Sequence, residues 1–136
     1  MKTISHHAAL VYIMVLVSAA DGAMNEQELA AIGDLTRRLP VFKGFDRDRL
    51  LAMAQDCSVI LQEEDGLAAV LGLIKEAVPE PLCETAYWLA LEIAVTDSRV
   101  ALEEIRVIET LRYTLGIDRL VAAALERGAR ARFQVA

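Results

Sequence analysis

Four carboxylates recur at one fixed spacing in this chain of 136 residues. Asp21 and Glu28 lie seven positions apart, and 76 positions further on Asp97 and Glu104 repeat the arrangement (21 to 97, 28 to 104). Each Asp follows an apolar stretch, and each Glu stands where an amphipathic stretch begins. Carboxylates without histidine or cysteine form an all-oxygen donor set. Such a set suits Ca²⁺, Mg²⁺ or Mn²⁺ rather than zinc or copper. Backbone carbonyls around Gly22–Met24 and Ser98–Val100 could complete the coordination.

The same residues also have a purely structural reading. Asn25 with Glu28 three positions later is the spacing of a capping box, and Asp21-Gly22 is an ordinary turn dipeptide. That reading covers the first pair better than the second, because Ala101 cannot cap as Asn25 does, yet Glu104 is kept. It also leaves an Asp at the C-terminal end of two different helices. There the free carbonyls disfavour a carboxylate by some tenths to about 1 kcal/mol. A bound cation would offset this in both places.

Other chemistries find no residues to carry them. Both histidines, His6 and His7, stand together near the amino terminus, which suits a tail or a first helical turn. They supply neither the Glu-x-x-His pairs of a di-iron bundle nor a Ser-His-Asp or Cys-His set. The acids do not alternate as an EF-hand loop requires, and no glycine-rich phosphate loop is present. A hydrolase built on a metal-activated water lacks a separate general base, so no enzymatic activity is expected. Cys57 and Cys83 stand alone in apolar stretches and read as buried free thiols, in keeping with a reducing cytosol. A net charge of −6 argues against nucleic-acid binding. The Arg127, Arg130 and Arg132 cluster reads as a solvated helix face near a C-terminus.

The elements that must position the acids are helices. Hydrophobic residues make up 55% of the chain and aromatics only 5%, a Leu, Ile, Val and Ala mixture that favours helix over sheet. A first helix is expected over about residues 5–20 and a second from Asn25 to Pro40, with Leu29, Ile32, Leu35 and Leu39 as its apolar stripe. Asp46 caps a third helix to about 62, and Glu63, Glu64 and Asp65 open a fourth that runs to Val78. "PEP" at 79–81 precedes a fifth, about 82–96, with Trp88 in the core and Glu92 on an exposed face. A sixth runs over about 101–115 to Gly116, and Asp118 caps a seventh to about Arg130. The expected fold is all-α, one domain of seven helices spanning 1–136. The opening "MKTISHHAALVYIMVLVSAA" could pass for a signal peptide cut after Ala19. It is too short to span a bilayer.

The 76-residue shift also superposes Ile32 on Ile108, Leu35 on Leu111 and Leu39 on Leu115, with Tyr12 against Trp88, Val17 against Ile93, Met24 against Val100 and Leu29 against Ile105. We read two copies of one unit (apolar helix, acidic turn, amphipathic helix) at about 5–40 and 81–116. Because residues 81–96 lie mid-chain, their counterpart 5–20 is expected to belong to the fold, and the protein to be cytoplasmic. If the copies pack about a pseudo-two-fold axis, Asp21, Glu28, Asp97 and Glu104 converge on one metal pocket.

"AADGAMNEQEL" resembles the hallmark of the tellurite-resistance TerB-like family, in which Ala-Asp-Gly is followed by a short polar turn and a Glu that begins the next helix. The resemblance covers nearly the whole chain. It implies a compact, internally duplicated seven-helix domain and an acidic divalent-metal pocket, carried here by Asp21 and Glu28, with Asp97 and Glu104 matching in the second copy. Ser98 replaces Gly22 there, so the second turn differs. The resemblance further implies a non-enzymatic role in tellurite and chemical-stress responses, through protein partners in cytoplasmic or membrane-linked complexes. Tellurite is itself an anion, which an acidic pocket repels. The competing expectation is a metal-free helical protein–protein interaction module.

Overall fold

The computed structural model describes residues 3–20, 22, 24–96 and 102–136. Among them are seven α-helices and no strand: α1 His6–Ala19, α2 Glu26–Arg38, α3 Leu50–Leu61, α4 Gly66–Ala77, α5 Cys83–Ala94, α6 Leu102–Leu115 and α7 Arg119–Arg132. Short 3-10 turns at Pro40–Phe42, Arg47–Arg49 and Glu80–Leu82 lead between them. The all-α expectation holds.

The core is built around α1. The Ser5 side chain accepts a hydrogen bond from the Ala8 amide at 3.1 Å, starting a helix whose residues Ala8 to Ser18 are all buried. A helix apolar on every side has no face to give to water and must be surrounded. Accordingly α1 packs most extensively on α5, and also on α3, α4, α6 and α2. Its burial makes residues 6–19 an integral part of the fold. Helix α5 is the second central helix, with Ala86, Tyr87 and Leu89–Ala94 buried.

The outer helices start and stop on local signals. Asn25 and Glu28 form a reciprocal capping box at α2: the Glu28 amide donates to Asn25 Oδ1 at 2.8 Å, and the Asn25 amide donates to Glu28 Oε1 at 3.0 Å. Gly116, at φ +67°, ends α6, and the Ile117 amide donates back to the Arg112 carbonyl at 3.0 Å. This is the six-to-one closure for which a left-handed residue is needed. The Asp118 side chain then caps α7 by accepting from the Leu120 amide. His6 and His7 fill the first turn of α1, where His7 Nε2 lies 2.9 Å from the Val41 carbonyl and its ring packs on Phe42 and Phe45.

Several expectations are corrected. Asp46 caps the 3-10 turn Arg47–Arg49, not α3, because the chain tightens for one turn before the α-helix begins. Glu63, Glu64 and Asp65 form the turn before α4 rather than its first residues. Asp65 adopts φ +57° and its side chain makes no capping bond, so the turn is too tight for these acids to enter the helix. Leu29 is 43% exposed, although Ile32 and Leu35 on the same helix are buried. Cys57 is buried but Cys83 is only half-buried. Trp88 is half-buried at the rim of the core. Glu92, expected on an exposed face, is 4% exposed, because α7 covers it.

Candidate functional site

Of the four carboxylates, Asp21 and Asp97 lie outside the described residues, as do Ser98–Ala101. Glu28 and Glu104 are described. Each is the third residue of its helix, α2 and α6, and each is only 3% exposed. Burial of a carboxylate is costly unless it is paired or bonded, so two of them at equivalent positions is a constraint on the fold. The Asn25 amide satisfies part of Glu28. Glu92 is the other buried carboxylate among the described residues, and it has a cation in contact: Arg132 Nε lies 2.8 Å from its Oε1.

The end of α1 approaches α6 at Val107. Helix α1 runs out through Ala20, and the Gly22 amide closes a turn onto the Ala19 carbonyl at 3.1 Å. A cleft of about 420 Å³ there is lined by Leu16, Ala19, Ala20 and Gly22, by Ser58, Leu61 and Gln62 at the end of α3, by Leu67 of α4 and by Val107 of α6, with no carboxylate among these residues. Val107 is one helical turn beyond Glu104. Gly22 has φ +137°, a conformation side-chain-bearing residues rarely adopt. Among the described residues, no group of three or more His, Cys, Asp or Glu could hold a metal ion.

Ser18, not singled out from the sequence, lies on the turn of α1 just before Asp21. It is fully buried, and its hydroxyl has no hydrogen-bond partner among the described residues. A buried polar group in that condition costs about 1–3 kcal/mol. The signal for it was present: apart from Tyr12, Ser18 is the one polar side chain between Ala8 and Ala20.

A second region of interest lies on the far side of α5. There Tyr87, almost fully buried, donates its hydroxyl to Glu126 Oε2 at 2.7 Å. Burial and the Glu126 carboxylate push its ionisation well above the usual tyrosine value. It lines a groove of about 580 Å³ between α5, α6 and α7, with Leu91, Ile105 and Ile108 as apolar wall and Arg112 and Arg130 at the edge. Ile105, which the 76-residue shift aligns with Leu29, is 48% exposed there.

Against this geometry, the family model for tellurite resistance protein TerB matches residues 7–127. The chain belongs to the TerB family. No curated protein and no solved structure matches it. The TerB match runs from the first turn of α1 into α7 and includes Ser18, Glu28, Glu92 and Glu104, whereas Arg132 lies beyond it. TerB domains are generally not catalytic. No helix among the described residues is long and apolar enough to cross a membrane.

Proposed function

We propose that this TerB-family domain is a non-enzymatic divalent-cation-binding module serving a tellurite-resistance-like stress response in the cytoplasm. Asp21, Glu28, Asp97 and Glu104 are its ligands, and Ca²⁺, Mg²⁺ or Mn²⁺ is the ion. The observation that carries the reading is the burial of Glu28 and Glu104 at matching places in α2 and α6. The orphaned Ser18 hydroxyl, three residues before Asp21 in the chain, fits the same account. A hard cation supplies positive charge to carboxylates that would otherwise repel one another, and it ties the two related halves of the chain together. Binding restricted to the folded state stabilises it by about 2.7 kcal/mol at a hundredfold excess over Kd.

Calorimetric titration of chelator-treated protein with each of the three ions tests this, repeated on Asp21→Asn and Asp97→Asn. Saturable binding that weakens in both variants, with a rise in melting temperature on adding metal, is expected. Absence of heat and of any thermal shift would eliminate the cation site. It would leave the metal-free interaction module, which is favoured by the 580 Å³ groove and its exposed Ile105.

A further inference from the structure

We propose that the outer face of the α3–α4 hairpin docks a second copy of this chain, the two hairpins lying antiparallel about a two-fold axis. The inference does not depend on the cation site.

Composition sets these two helices apart. The helices α2, α6 and α7 each carry five charged residues, whereas α3 carries only Asp56 and α4 only Lys75 and Glu76, in its last turn. So few charges suit a helix enclosed on most sides, as α1 is. Yet α3 and α4 are covered on one side alone. They pack on each other, on α1 and, for α4, on α6, burying Ala54, Cys57 and Ile60 of α3 and Val70 and Ile74 of α4. On the outer side Leu51 and Val59, two turns apart on α3, are 60% and 59% exposed. Leu67, Ala68, Ala69 and Gly72 of α4 are exposed too, and among the described residues nothing covers this face. Its small residues let another helix approach closely.

The charges at the two ends of the hairpin select the occupant. Glu63, Glu64 and Asp65 form the turn between the helices, while Arg47, Arg49 and Lys75 lie at the opposite end, about 18 Å away along helices of 12 residues. Turned antiparallel, two copies place each acidic turn over the other's Arg47, Arg49 and Lys75. A two-fold contact forms both pairings at once and closes on two molecules. A parallel arrangement would set acid on acid. Asp48 and Glu76 stand among the cations, so the charges set the register and the apolar centre supplies the affinity. A membrane surface fits this face less well, because Asp56 and the acidic turn repel anionic headgroups where an interfacial helix presents Lys and Arg.

Sedimentation equilibrium of the full, chelator-treated chain over a range of concentrations reads the association. Two substitutions charge the face without disturbing the monomer. Val59→Glu acts at an exposed position, and Gly72→Glu replaces a glycine whose added Cβ meets nothing within 4 Å by a better helix former. Wild type is expected to show a monomer–dimer equilibrium. Each variant should dimerise about a hundredfold more weakly, because its charge is buried against apolar side chains or its own copy. Leu120→Glu, on the exposed side of α7, is the control and should dimerise like wild type. Glu64→Lys should weaken the dimer, and Lys75→Glu added to the same chain should restore it, as the antiparallel register requires. A wild-type chain that stays monomeric at every concentration overturns the proposal, and binding of that monomer to phosphatidylglycerol vesicles would assign the face to a membrane. Dimers that survive both Val59→Glu and Gly72→Glu, or that Leu120→Glu breaks equally, overturn it as well. Failure of Lys75→Glu to rescue Glu64→Lys overturns the antiparallel arrangement.

Discussion

Replacing Arg132 by Ala probes how the last turn of α7 is held. Arg132 is the last residue of that helix, and its Nε lies 2.8 Å from Oε1 of Glu92 on α5. The two ends of the pair differ in setting: the Glu92 side chain is 5% exposed and that of Arg132 is 49% exposed. Breaking a fully buried pair costs about 3–5 kcal/mol, and losing an exposed one about 0–1 kcal/mol. With one end in water and the other in the core, Arg132→Ala falls between, at about 2 kcal/mol near neutral pH. For a chain of this size that lowers the melting temperature by about 5–8 °C. The pH dependence gives a sharper check. Burial raises the Glu92 carboxyl above its usual 4.5, while Arg132 and then Arg38 pull it down. An acid with a raised value in the folded state contributes stability that is complete below about 4.5 and lost as pH rises through the folded value. Removing Arg132 takes away the larger of the two opposing influences and raises the value further. The variant should therefore lag wild type most at pH 7 and approach it near pH 4.5, where Glu92 is protonated. Thermal melts by circular dichroism across that range read the difference. An equal deficit at pH 7 and pH 4.5, or none at pH 7, refutes the argument.

Two other perturbations follow from the packing. A Cβ at Gly66 would collide with the Ile60 carbonyl and the Leu61 backbone in the turn between α3 and α4, so Gly66→Ala should cost about 3 kcal/mol or more and lower the urea midpoint sharply. The Cys57 thiol is buried, with its ionisation pushed up to about 12, whereas Cys83 is half-buried and raised less. At pH 8 a disulfide reagent should therefore modify Cys83 in the native protein and Cys57 only after urea is added. Equal rates in the folded state would contradict the burial of Cys57.

What the sequence determined was local. Helix starts and stops are set within a few residues by caps, prolines and glycines, so Asn25 with Glu28, Gly116 and Asp118 could be read directly and were found in place. The unbroken apolar run of residues 8–17 dictated a fully enclosed helix, and the family pattern around Asp21 carried the TerB assignment. Burial at the edges of those helices was decided only by the tertiary structure. Glu92 reads as a polar position on α5, yet the end of α7, some forty residues on, covers it and supplies its cation. Leu29 and Ile105 satisfy the apolar spacing and still face outward. Ser18 looks like an incidental polar residue until the surrounding helices seal it without a partner among the described residues. Periodicity tells which residues share a helix face. Which neighbour that face meets is fixed by packing between segments far apart in the chain, and there the cost of an unpaired charge or hydroxyl is set.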